Sequence, residues 1–152
     1  MNISVDGLIQ KIHRHHYMLA DIYNSRKQNS SSRTDRDFFE LLEKSEKYQD
    51  RCLEFFEHQI RPDHLKKILF INDKTAEWIN TSSDKLEKCL QTDDCSEILK
   101  FGVKRDLNLL DFCREINNNE DLKELQVIFS ELCKIINGEI SNIYSYKRIF
   151  NI

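Results

Sequence analysis

Apolar residues recur along this chain at intervals of three and four positions, the period of an α-helix with one buried face. Val5, Leu8, Ile12, Leu19 and Tyr23 trace the first such stripe, interrupted by His16, and predict a helix over about 4–27. The polar run 28–37, rich in serine, predicts a loop that ends this helix and supplies an N-cap for the next. A second stripe, Phe38, Leu41, Leu42, Ser45, Gln49, Cys52, Phe55, Phe56 and Ile60, predicts a helix over about 36–60. It stops where Pro62 disfavours helical geometry in Arg61. Leu65, Ile68, Leu69, Ile71 and Trp78 form a less regular apolar segment over 63–79, read as helical, with another short helical turn over 84–90. A third long stripe comprises Ile98, Leu99, Gly102, Asp106, Leu109, Leu110, Phe112, Cys113 and Ile116, and the asparagines at 117–119 end it. The last, Leu125, Ile128, Phe129, Leu132, Ile135, Ile136, Glu139, Ile143 and Tyr146, predicts a helix reaching about residue 150. Gly138 stands in its middle, where glycine costs about 1 kcal/mol relative to alanine, and is expected to mark a close helix contact.

Composition narrows this to an all-α fold with a single helical-bundle domain over 1–152. Gly and Pro are too scarce for a turn-rich β-sandwich, and the length suffices for one core without disulfides. The net charge is -3, with both signs mixed along the chain, so there is no basic footprint for nucleic acid or an anionic membrane. No apolar run approaches a membrane span, and residues 1–16 contain no signal-peptide block, which points to a cytoplasmic protein. The cysteines, Cys52, Cys89, Cys95, Cys113 and Cys133, follow no zinc spacing and read as reduced thiols. Cys89 and Cys95 alone flank a short polar connection, where a redox pair is one reading and one thiol on each side of a loop is the simpler one.

One spacing occurs twice: His16 precedes Leu19, Ala20, Ile22 and Tyr23 as Asp106 precedes Leu109, Leu110, Phe112 and Cys113. The chain therefore reads as two helical hairpins joined by a helical crossover. The runs FFELLEKSEKYQDRCLEFF, DLNLLDFCREI and FSELCKIINGE, with the polar stretch NNNEDLKEL between the last two, carry a resemblance to the ferritin-like superfamily, in particular to small rubrerythrin-like bacterial proteins. The likeness covers about 5–60 and 96–150. It implies a four-helix bundle in which each half offers one carboxylate from its first helix and a Glu-x-x-His pair from its second, together holding two irons.

Carried over residue by residue, the first-helix positions become His16 and Asp106, and the pair in the last helix becomes Ile136 and Glu139. The second helix supplies either Glu46 with Gln49 or Gln49 with Cys52. No Glu-x-x-His pair is present, and isoleucine or glutamine cannot replace a bridging carboxylate, so a di-iron centre is not expected. The polar residues left on the apolar stripes still have to satisfy one another, a water or an ion. One reading is a reduced mononuclear metal site for iron, zinc or manganese at His16, Asp106 and Glu139, with Gln49 and Glu46 nearby, serving oxidative or metal stress. The other, which we favour, is an ion-pair network, for instance His16 with Asp106 or Arg105 with Glu139, in a protein without cofactor.

Other candidates are weaker. His13 and His16 share a helix face, but His15 does not. Glu54 and His58 read as a solvated face, and His64 as part of a helix start after Pro62. There is no nucleophile signature and no glycine-rich phosphate loop. The adjacent rings Phe38 with Phe39 and Phe55 with Phe56 cannot both face one narrow axis, which predicts packing on the crossover or on another subunit. The sequence thus points to a non-catalytic binding or scaffold protein, acting with a protein partner or as a homodimer.

Overall fold

The computed structural model describes residues 1–118 and 122–152, without the side chain of Glu124. Along the chain the elements are β1 (Asn2–Ser4), α1 (Val5–Asn29), α2 (Arg33–Glu57), α3 (Pro62–Leu65), β2 (Ile68–Phe70), α4 (Asp73–Ile79), α5 (Ser83–Cys89), α6 (Cys95–Asn117) and α7 (Lys123–Ile149). The protein is mostly helical. Short polar side chains set several starts by accepting a main-chain N–H that the helix leaves open: Ser4 from Gly7, Ser32 from Asp35, Asn72 from Thr75, Ser82 from Lys85 and Asp94 from Ser96. The loop expected over 28–37 shrinks accordingly to Ser30–Ser32, because Ser32 can cap and the polar residues after it sit on an exposed first turn. Of the asparagines expected to end the third long helix, Asn117 closes α6 and Asn118 caps it, and Asn119 lies outside the described residues.

The middle of the chain departs from expectation. The segment 63–79 is not one helix: α3 makes a single turn behind Pro62, β2 follows, and α4 starts afresh at the Asn72 cap. The run Ile68, Leu69, Phe70, Ile71 favours extended backbone, and β1 supplies an antiparallel partner with Ile3 opposite Leu69. Main-chain bonds from Val5 to Lys67 and from Ile71 to Met1 extend the pairing at both ends. Leu69 alone of the strand turns into the core, while Ile68 and Phe70 face outward.

α1 packs along α2 and α6 along α7, α2 meets α7, and α3, α4 and α5 all lie against α1. One cluster of apolar side chains joins them, with Leu8, Leu19, Leu99 and Leu125 wholly buried. The aromatic pairs resolve differently from each other. Phe38 and Phe39 are both buried within this chain, Phe38 edge-on to Phe150 and Phe39 beneath the Arg26 guanidinium, so neither needs another subunit. Phe55, in contrast, is 62% exposed, and Leu53 rather than Cys52 completes the buried row of α2. Among the described residues no helix is long and apolar enough to cross a membrane.

Gly138 does not mark a helix contact: a Cβ built there meets nothing within 4 Å, and the residue is exposed. Its mid-helix cost is therefore uncompensated by packing. Gly138→Ala is expected to stabilise the fold by about 0.5–1 kcal/mol, read as a higher urea midpoint at unchanged slope; a lower midpoint would mean that a neighbour does occupy this face.

Candidate functional site

The polar residues on the long helices meet in the interior. α1 contributes His16, α2 contributes Glu46 and Gln49, α6 contributes Arg105 and Asp106, and all are buried. Arg105 and Asp106 can both point inward because the buried face of α6 is two rows wide. Ile98, Gly102, Arg105, Leu109, Phe112 and Ile116 form one row, and Leu99, Val103, Asp106, Leu110 and Cys113 the other.

Arg105 is the hub. Its Nη1 donates to both oxygens of Glu46 at 2.8 and 2.9 Å and lies 3.6 Å from Asp106 Oδ1. Its Nη2 approaches His16 Nδ1 at 2.9 Å, and the same Nδ1 is 2.8 Å from Glu46 Oε2. Gln49 Nε2 donates to the Asp106 carboxylate at 3.3 and 3.4 Å. Burial and the adjacent guanidinium hold the His16 ring well below its ordinary pKa, so it is neutral. Burial also pushes Glu46 up to about 7 against the pull of Arg105. It does the same to Asp106, again to about 7, with repulsion from Glu46 adding to it. One fixed positive charge thus faces two carboxylates, and near neutral pH the pair retains part of a proton.

Glu139 belongs to a neighbouring arrangement. Its Oε2 accepts from Ser45 Oγ at 2.5 Å and its Oε1 from Asn142 Nδ2 at 3.3 Å. The pairings expected from sequence are therefore exchanged: Arg105 pairs with Glu46 rather than Glu139, and His16 with Glu46 rather than Asp106. The structure brings four of the named candidates, His16, Glu46, Gln49 and Asp106, into one network around Arg105. Among the described residues, no group of three or more His, Cys, Asp or Glu side chains is placed to hold a metal ion.

Outward from the network, α1 and α2 leave a groove of about 470 Å³ with His16 and Glu46 among its lining residues and Lys27, Glu43, Lys47 and Arg51 along it. Lys27 and Glu43 close a 2.9 Å ion pair there. His13 bridges the same two helices on another face, with Nδ1 2.5 Å from Asp50 and Nε2 2.8 Å from Glu57. The hydrogen bond to Asp50 does most to raise its pKa to about 9, burial opposing and Glu57 adding to the rise. Glu54 and His58 are exposed as expected, and His64 sits buried within α3.

Two features escaped the sequence reading. His15 is 1% exposed, its ring tilted against Trp78 with centroids 4.9 Å apart. The signal was present, since His15 continues the row Val5, Leu8, Ile12, Leu19, Ile22, but what covers that row at His15 is Trp78 of α4, which the pattern of α1 does not reveal. The thiols that interact are also not the pair flanking a loop. Cys89 is free and exposed, Cys95 is free and donates weakly to Asp35, and Cys113 hydrogen-bonds with Cys133. That bond draws Cys133 down to about 7, while the same bond and burial push Cys113 well up.

Compared with known proteins, the chain matches no family model, no curated protein and no solved structure.

Two outcomes are expected. His13 gains stability in its protonated form, so its contribution is complete below pH 6.5 and lost as pH rises through about 9. The destabilisation caused by His13→Gln, taken as the difference in urea midpoints from wild type, should therefore be larger at pH 6 than at pH 10; an equal difference at both would show that the bridge does not depend on charge. Alkylation of Cys133, followed by peptide mass spectrometry, should show a rate inflection near pH 7, and Cys113→Ala should move it upward.

Proposed function

We propose that this chain is a non-catalytic binding protein on a ferritin-like four-helix bundle, α1 with α2 and α6 with α7 forming its hairpins and α3 to α5 its crossover. The observation that carries this reading is Arg105. The residues at the ligand positions implied by the ferritin-like resemblance include His16, Glu46, Gln49 and Asp106, and a guanidinium stands among them, in contact with Glu46 and His16 and close to Asp106. An internal cation satisfies the carboxylates that two metal ions would otherwise neutralise, and a metal placed there would meet its repulsion. The residues present fit an ion-pair network better than a metal cluster: Glu139 turns to Ser45, and Gln49 offers a neutral amide where an imidazole ligand would be needed.

Such a network serves to join the two hairpins, since Arg105 and Asp106 come from one and His16, Glu46 and Gln49 from the other. That leaves the surface and the cavities, rather than the polar centre, for function. The exposed ring of Phe55 on α2 offers an aromatic anchor for a protein partner or a second copy.

Two measurements test the reading together. Protein purified without a histidine tag should contain no stoichiometric iron, zinc or manganese by plasma mass spectrometry; near-stoichiometric metal that is lost in the Asp106→Ala, Glu139→Ala double variant would replace it with the mononuclear metal-site alternative. Arg105→Met should cost about 3–5 kcal/mol at pH 8, because it strands buried carboxylates. The cost should shrink at pH 5, where Glu46 and Asp106 are protonated in the folded state.

A further inference from the structure

Cys113 and Cys133 face each other outside the Arg105 network. Cys113 continues the inward row Leu99, Val103, Asp106, Leu110 of α6 and is buried, while Cys133 lies half-buried on α7. Leu99, near the start of α6, shares a groove with Tyr144 and Lys147, near the end of α7, so the two helices run antiparallel. At their other ends Asn117 Nδ2 donates to Ser130 Oγ at 3.1 Å. Cys113 is one turn back along α6 from this bond and Cys133 one turn on along α7, which brings them to the same level from opposite directions. The two thiols are in hydrogen-bond contact there.

The two sulfurs differ in what they can do. Cys113 is 1% exposed, which closes it to reagents from solvent. Cys133 can be reached at the edge of the helix pair. The Cys113 thiol donates to it and does most to draw it down to about 7, with burial opposing and the Arg114 guanidinium assisting. Asn117 Nδ2 also approaches its Sγ at 4.0 Å. A substantial share of Cys133 is therefore thiolate at neutral pH, the form that acts as a nucleophile. Cys89 is exposed, so access alone would favour it, and Cys95 is pushed up by burial and by Asp35. A reachable nucleophile backed by a second, enclosed thiol is the arrangement in which a first oxidation product is captured within the chain.

We propose that Cys133 is a site of oxidation by small hydroperoxides, and that Cys113 captures the product as a disulfide joining α7 to α6. The Cys133 thiolate attacks one peroxide oxygen; the S–O bond forms, the O–O bond breaks, and the departing hydroxide or alkoxide takes a proton from water. The sulfur of Cys113 then attacks Cys133 Sγ. The S–S bond forms, the S–O bond breaks, and the hydroxide leaves as water with the proton of Cys113. Two thiols have given two electrons to one hydroperoxide. A dithiol reductant restores both thiols by exchange and is itself oxidised to a disulfide. The partial burial of Cys133 selects a small oxidant over a bulky one. This inference goes beyond the binding-protein reading and is independent of it, since neither step uses a residue of the Arg105 network.

The full chain, reduced, freed of reductant and treated with one equivalent of hydrogen peroxide at pH 7, is blocked with N-ethylmaleimide, digested and read by mass spectrometry. The main product should be a linked pair of peptides carrying Cys113 and Cys133. Oxidation at Cys133 should run roughly threefold faster than at Cys89, a gain in thiolate fraction partly offset by lower nucleophilicity. Cys113→Ala should give a dimedone adduct at Cys133 in place of the disulfide. Cys133→Ser alters a half-exposed side chain, so it remains informative if Cys113→Ala fails to fold, and it should leave Cys113 unoxidised.

Oxidation of Cys89 ahead of Cys133, or of Cys113 in the Cys133→Ser variant, would overturn the proposal. So would failure to form the linked pair in wild type, whether the peroxide is left unconsumed or Cys133 proceeds to a sulfinic acid beside a free Cys113. Faster closure by oxidised glutathione than by hydrogen peroxide at equal concentration would overturn the hydroperoxide as oxidant and put disulfide exchange in its place.

Discussion

A single guanidinium buried among two carboxylates and an imidazole is the constraint on which this structure turns. Arg105 cannot lose its charge, so the protein interior must balance it, and Glu46 and Asp106 do so from positions where an unpaired carboxylate would be expensive. The three groups are individually unfavourable in a dry interior and tolerable only together. Because they come from both helix pairs, the charge balance is also a statement about geometry: α1 with α2 must meet α6 at one height for the Arg105 guanidinium to reach Glu46 and His16, and for Gln49 to reach Asp106. Apolar packing alone would accept a slip along the helix axes more readily.

The surrounding polar groups follow from that centre. Gln49 adds a donor for Asp106, and the neutral His16 shares the Glu46 carboxylate with Arg105. Glu139, elsewhere in the same interior, satisfies itself with Ser45 and Asn142 and so stands apart from the guanidinium. The carboxyls of Glu46 and Asp106 are both held above their ordinary range, chiefly by burial and against the pull of the one guanidinium. The Nε of Arg105, left over after its terminal nitrogens are engaged, is buried without a hydrogen-bond partner.

The crossover has a part larger than its length suggests. It returns over α1, and in doing so it converts a residue on the edge of a stripe, His15, into a core residue. Its strand β2 ties the start of the chain to its middle through β1, with the first residue's amino group donating to the Ile71 carbonyl. Pro62 and the Asn72 cap confine that strand between two short helices, which keeps the extended stretch from propagating.

The periodicity of apolar residues determined by itself that the protein is mostly helical, where its four long helices lie to within a few residues, and that His16, Gln49, Asp106 and Glu139 point inward. These are local properties, set by side-chain spacing and by capping residues beside each helix start. The middle segment has no such local answer, because the run Ile68 to Ile71 is too short to distinguish strand from helix until β1 arrives from the other end of the chain. Only the tertiary structure decided which acid Arg105 would serve, that Glu46 rather than Asp106 would meet His16, and that Gly138 faces open space. Each of these depends on the azimuth and height at which separate helices dock, which is set by the packing of the whole core and written in no single stretch of residues.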